Sequence, residues 1–193
     1  MKTEEIMQMQ RRLGVPADGF WGPMSQGALR THLHNRLPYP NPWPRGDPAS
    51  LEAFYGKPGD ESNLTNIVPP FPMFYDGKRI QTLRCHKKVA ASLQRVLTAI
   101  GKSYGQQRGV IEEAEDYGGC FNFRNKRGAS SLSVHAWGAA IDLDADDNTF
   151  RDHWPMQADM PLEIMEAFAR EGWVSAGAFW GYDAMHFEAV RRG

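Results

Sequence analysis

Ser133-Val134-His135-Ala136-Trp137-Gly138-Ala139-Ala140-Ile141-Asp142-Leu143-Asp144 runs from a histidine, through a glycine, into an apolar stretch with acidic side chains at alternate positions. From Ala139 onward the period of two is that of a strand, with Ile141 and Leu143 on one face and Asp142 and Asp144 on the other. His135 and Asp142 would stand roughly 23 Å apart in a fully extended chain, so they meet only if the backbone folds back. Gly138 is the natural bend, because glycine takes a positive φ without steric penalty. Further on, Asp183-Ala184-Met185-His186-Phe187-Glu188 repeats the alternation, with Met185 and Phe187 facing a core and His186 and Glu188 a cleft. Asp142 and His186 then sit on neighbouring strands of one sheet, and His135 on the bend leading into it.

Two imidazoles and a carboxylate can hold one zinc ion and leave its fourth position to water. Zinc lowers the pKa of that water, and a nearby carboxylate takes the proton as the water attacks a carbonyl. Asp183, three residues before His186, is the spare carboxylate. Asp142 is a charge within an apolar strand, and such a charge needs a partner or a metal once buried. Residue types and spacing leave two readings open at this point: a hydrolytic metal site, or histidines and turn-forming aspartates that serve only the fold. A third reading fares worse. Asp142, Asp144, Asp146 and Asn148 alternate like the first ligands of a calcium loop, but Asp147 stands where that loop needs Gly and His153 where it needs Glu. Asn148 is expected to cap the turn after the strand. His153 and Trp154 are candidates for the cleft wall or for a surface loop.

Helical spacing flanks the two stretches. Between Arg84 and Gly101 the residues Val89, Leu93, Val96, Leu97 and Ile100 form one apolar face, with His86 at the start as a structural or surface residue. Pro161 to Gly172 is a second helix that buries Leu162, Met165, Phe168 and Ala169, with Gly172 as its cap; Trp173 and Val174 begin a strand. The expected fold class is therefore α+β, a small antiparallel sheet flanked by helices and carrying a zinc site, preceded by a small helical module. Residues 1–36 are that module: one helix through Ile6, Met9, Gln10 and Leu13, a turn-rich stretch, and a second helix near Met24 to His34. Residues 37–62 form a proline-rich linker, in which Leu37-Pro38-Tyr39-Pro40-Asn41-Pro42-Trp43-Pro44-Arg45-Gly46-Asp47-Pro48 favours an extended, stiff connector. Residues 63–193 form the domain that carries the site.

Composition sets the remaining bounds. The 193 residues suffice for one ordinary domain and a small one, and the 41% hydrophobic content for a core. A net charge of −1 gives no broad basic surface for nucleic acid. No run approaches the length of a membrane span, so no membrane insertion is expected. Met1-Lys2-Thr3-Glu4-Glu5 is followed by no apolar secretory region, so the expectation is a chain without a signal peptide. Cys85 and Cys120 make no disulfide framework and lack metal-binding spacing, which leaves buried free thiols as the expectation. A monomer is expected.

The motif S-x-H-x-x-G-x-A-x-D followed by D-x-x-H-F-E closely resembles the zinc peptidases that include D-alanyl-D-alanine carboxypeptidases and L-alanyl-D-glutamate endopeptidases, the endolysin-type endopeptidases above all. The resemblance spans roughly residues 63–190 and takes in Asn66-Ile67-Val68-Pro69-Pro70-Phe71-Pro72-Met73 and Tyr117-Gly118-Gly119-Cys120-Phe121-Asn122-Phe123-Arg124. It implies zinc as the cofactor, His135, Asp142 and His186 as its ligands, and Asp183 as the catalytic carboxylate. It implies Arg124 as the arginine meeting a substrate carbonyl or carboxylate, with Arg127 as the alternative, and Ser133 at the edge of the cleft. Gln8, Gln10, Leu13, Asp18-Gly19, Phe20, Gly22-Pro23, Ser25, Ala28 and Leu29 resemble the first half of the small helical peptidoglycan-binding module. Together these imply an enzyme whose partner is bacterial peptidoglycan, cutting the L-alanyl-D-glutamate bond of the stem peptide. They also fit a phage-type lysin made in the host cytoplasm and acting on the wall after release. The alternatives are a D-alanyl-D-alanine carboxypeptidase and a non-catalytic cell-wall-binding protein.

Overall fold

Gly138 bends the chain back as its sequence context predicts. It takes φ 66°, and a Cβ there would stand 2.7 Å from Leu64 Cδ2 and 3.1 Å from the His86 backbone nitrogen. The computed structural model describes residues 1–104 and 113–192. In chain order, α1 (Thr3–Leu13), α2 (Pro23–His34) and α3 (Pro48–Tyr55) precede an antiparallel pair, β1 (Leu64–Ile67) with β4 (Leu83–His86). Between these lies the hairpin of β2 (Met73–Tyr75) and β3 (Lys78–Ile80), and after them the long helix α4 (Lys87–Tyr104). Next come β5 (Tyr117–Gly119), β6 (Ala140–Leu143), α5 (Leu162–Arg170), β7 (Val174–Ser175), the short α6 (Ala176–Phe179) and β8 (His186–Glu188). The last four strands form one antiparallel sheet in the order β5-β6-β8-β7.

The mixed α+β class and the small antiparallel sheet are as the alternation implies. β6 and β8 are central and buried on both faces. On the core side Phe187 stacks on Phe168 of α5 at 4.0 Å between ring centroids. The apolar face of α4 is fully buried, including Val89, Leu93 and Leu97. α4 starts at Lys87 rather than Arg84, because Leu83 to His86 pair with β1 and tertiary pairing overrides helical spacing there. His86 is buried and structural: Nδ1 accepts from Lys88 N and Nε2 donates to Tyr55 O.

The N-terminal helices lie against α5. Glu166, buried on α5, takes Arg12 Nη2 at 2.9 Å, His32 Nε2 at 2.6 Å and Arg36 Nη2 at 3.3 Å. Trp21 packs edge-on against Trp154 with centroids 5.2 Å apart. Inside the helix pair, the buried Gln10 amide donates to Asp18 Oδ1, Phe20 O and Ser25 Oγ and accepts from Gly19 N, which ties the turn to both helices. The proline-rich stretch is not extended throughout. Asp47 caps α3, whose Leu51 and Tyr55 are buried, and Trp43 packs on Trp173 and donates to Glu171 O. Tyr39 is fully exposed. Cys85 and Cys120 are buried free thiols. No described helix is long and apolar enough to cross a membrane.

Candidate metal centre

Ladder geometry brings the polar residues of β6 and β8 together. Leu143 N donates to Met185 O and Ala189 N to Ala139 O, which makes the register partners Asp142 and His186 a non-hydrogen-bonded pair. In such pairs the side chains stand closest, with Cα atoms about 4.5 Å apart. β5 closes on this pair through Gly118, where a Cβ would lie 2.9 Å from Asp142 Cβ. His135 comes from a single 3-10 turn, Val134–Trp137, capped by the Ser133 side chain at its start and by Gly138 at its end. Its Nδ1 donates to the Cys120 carbonyl at 2.8 Å. A carbonyl only accepts, so Nδ1 carries a proton, and Nε2 is the nitrogen turned toward Asp142 and His186.

Three donor atoms thereby converge. His135 Nε2 is 3.1 Å from Asp142 Oδ1 and 3.1 Å from His186 Nδ1, and Asp142 Oδ1 is 2.9 Å from His186 Nδ1. All three residues are buried. Ligands on a tetrahedral zinc at its usual bond lengths lie roughly 3.3 Å from one another. The donor set and its spacing therefore fit a zinc ion within a few tenths of an ångström. Burial alone would raise the Asp142 pKa, but charge attraction and hydrogen bonding from the two histidines hold it well below the usual carboxylate range. His186 behaves conversely: burial lowers it, and hydrogen bonds to Asp142 and Glu188 outweigh burial and raise it to about 10. Without a metal these groups thus share protons and charge, and a metal would take the place of the shared proton.

Asp183 adds a carboxylate to the same cleft. The chain enters it through Gly181 at φ 82°, and Asp183 itself takes φ 60°, left-handed backbone that Asp tolerates better than most residues. His186 N donates to Asp183 O at 3.0 Å and closes the turn, and Asp183 lines the cleft together with Asp142 and His186. Asp183 Oδ1 is buried with no hydrogen-bond partner among the described residues. Burial raises its pKa; His186 opposes the rise, while Asp142 adds to it. A buried carboxylate oxygen without a partner is costly, and in a cleft it is a candidate for functional chemistry.

The cleft has a volume of about 350 Å³ and is rimmed by cations and aromatic rings. Arg124, Arg127 and Ser133 all line it. The Arg124 carbonyl accepts from Ser133 N, and among the described residues its guanidinium donates only to Asn125 O. Arg127 lies 5.7 Å over the Phe150 ring. Met185, expected in the core, is buried but also lines the cleft. His153 and Trp154 do not line it: His153 is exposed, and Trp154 packs under Trp21 and donates to Met160 O. The aromatic wall is instead Phe150, Trp180 and Tyr182. Trp180 and Tyr182 flank Gly181 just before Asp183, so an aromatic cluster preceding the motif was their available signal.

Asp144 departs from the expected alternation. It leaves the strand at φ 47°, and its carboxylate joins Glu113 and Asp159 in a separate all-carboxylate group. Asn148 does more than cap the turn: its side chain bridges Asp144 and Asp159 and accepts from the Asp159 and Met160 backbone. Burial and the neighbouring carboxylates raise Glu113 to about 9.

A family model described as D-alanyl-D-alanine carboxypeptidase matches residues 127–189. The matched third of the chain contains His135, Asp142, Asp183 and His186 and leaves out Arg124, so it is over the metal centre that the chain is similar to these peptidases. No curated protein and no solved structure matches the chain.

Proposed function

We propose that this protein is a zinc peptidase that hydrolyses the stem peptide of bacterial peptidoglycan at the L-alanyl-D-glutamate bond. The observation that carries the proposal is the convergence of His135 Nε2, Asp142 Oδ1 and His186 Nδ1 within 3.1 Å of one another, with Asp142 and His186 lining a cleft shared with Asp183, whose Oδ1 is buried without a partner among the described residues. His135, Asp142 and His186 would hold the metal, and zinc bound there supplies a Lewis acid that polarises a carbonyl and acidifies a water.

The residues of the chain do the rest. Asp183, through the free Oδ1, takes the proton of the attacking water and returns it to the amine of the departing peptide. Its raised pKa suits both halves of that task, because a carboxylate closer to neutral pH accepts and releases a proton more evenly. Arg124 receives the substrate carbonyl or a flanking carboxylate, for which a planar donor fork is the right shape. Arg127 shares the rim. Ser133 keeps His135 in place as the cap of its turn and borders the substrate path. Phe150, Trp180 and Tyr182 form an apolar wall that displaces water as the peptide enters.

The resemblance of α1, its turn and α2 to half of a wall-binding module supports peptidoglycan as the partner. It also supports the wider proposal of a phage-type lysin, made in the host cytoplasm and acting on the wall after release. A second reading, removal of terminal D-alanine, is favoured by the description of the matching family. Digestion of purified sacculi, with fragments identified by mass spectrometry, separates the two. New peptide ends at D-glutamate support the endopeptidase, free D-alanine alone supports the carboxypeptidase, and no product from folded, zinc-loaded protein rejects both.

A further inference from the structure

Glu188 stands two positions after His186 on β8, so both side chains leave the strand on the same face. Its register partner is Ala140, whose small side chain leaves room for a carboxylate above it. That carboxylate is 2% exposed, and each of its oxygens has one partner. Oε1 accepts from Arg192 Nη2 at 2.7 Å, and Oε2 faces His186 Nε2 at 3.4 Å. A carboxylate in that place accepts, so it holds the proton on Nε2 and leaves Nδ1 for the other donors. Arg192 is fixed in turn: its guanidinium carbon lies 4.6 Å over the Trp180 ring, and Arg191 N donates to Pro44 O at 2.8 Å just before it. Trp180 stacks on the His186 imidazole, with ring planes 24° apart. His186 is thus held at its free nitrogen by Glu188 and on its face by Trp180, and Arg192 touches both of these holders.

We infer that Glu188 and Arg192 are positioning residues for the metal centre, Glu188 setting the tautomer and direction of His186 and Arg192 holding Glu188 in place. The inference rests on His186 being a metal ligand. A carboxylate behind a metal-bound imidazole typically contributes 10- to 100-fold in metal affinity. An ion pair that served only the fold would leave that affinity alone.

The test is zinc affinity of the full chain, measured by competition with a chromophoric chelator, beside thermal unfolding of the metal-free protein and turnover at saturating zinc. Glu188→Ala is expected to weaken zinc binding about 10- to 100-fold while the metal-free protein still unfolds cooperatively. Arg192→Ala is expected to shift affinity in the same direction by less. If Glu188→Ala does not fold, Glu188→Gln keeps the shape and a neutral acceptor, and its affinity should fall between wild type and that loss. Zinc affinities within twofold of wild type in these variants would overturn the inference. Unchanged affinity with lost turnover would overturn it too, because Glu188 would then act on substrate. Failure of the wild type to bind zinc would overturn the metal centre itself, a result distinct from either.

Discussion

Replacing Asp183 with Asn removes the proton acceptor while keeping size and backbone preference. A positioned general base contributes about 10²- to 10⁴-fold, so hydrolysis should fall by that factor, equivalent to about 3–5 kcal/mol of barrier. Stability should move the other way. Burial holds the Asp183 pKa above its ordinary 3.8, so the ionised group opposes folding at neutral pH. For a carboxyl raised in this way, the favourable contribution is present below the unfolded pKa and is lost as pH rises through the folded one. The neutral amide escapes that loss, and Asn also suits the left-handed backbone at φ 60°. The metal-free variant should therefore melt at or above the wild-type temperature at neutral pH, with any gap closing toward pH about 4. The assay pairs release of peptides from sacculi with calorimetry and zinc content of the same samples. Zinc retained, activity lost and stability equal or higher is the expected pattern. Activity within tenfold of wild type would refute the role given to Asp183.

Further outcomes follow from other parts of the molecule. Zinc should stabilise the protein more at about pH 8 than at about pH 6, because it must displace the His186 proton. With a folded pKa of about 10 against 6.5 unfolded, that proton stabilises the metal-free fold fully below about pH 6.5 and stops doing so as pH rises through about 10; melting temperatures at buffered free zinc, with and without chelator, measure the difference. Gly118→Ala should lower zinc affinity, because the added Cβ would meet Asp142 Cβ at 2.9 Å; chelator competition would detect it. Glu166→Ala strips Arg12 on α1, His32 on α2 and Arg36 after it of their shared partner and should cost about 1–3 kcal/mol in urea unfolding.

What the sequence made legible was local. The alternation in β6 and β8 and the glycine at 138 placed Asp142, His186 and His135 correctly relative to one another, because a period of two and a single left-handed residue determine which side chains meet. The same alternation misplaced Asp144, since an aspartate can take a positive φ and leave the strand without a glycine to announce it. Distant packing was not legible. Leu83 to His86 carry helical spacing but pair with β1, and the residues after Asp47 form a helix within a proline-rich stretch. Arg12, His32 and Arg36 give no sign in their spacing that they share Glu166. Arg192 is likewise an ordinary terminal arginine until the fold sets it against Glu188 and Trp180.

The most direct test of the central claim is the metal dependence of hydrolysis. The protein would be stripped with chelator, shown to be folded, and titrated with zinc while peptide release from sacculi is followed. The predicted result is no release without metal and full recovery at one zinc per chain, lost again in His135→Ala. Undiminished release from metal-free protein, or a folded chain that takes up no zinc, would contradict it.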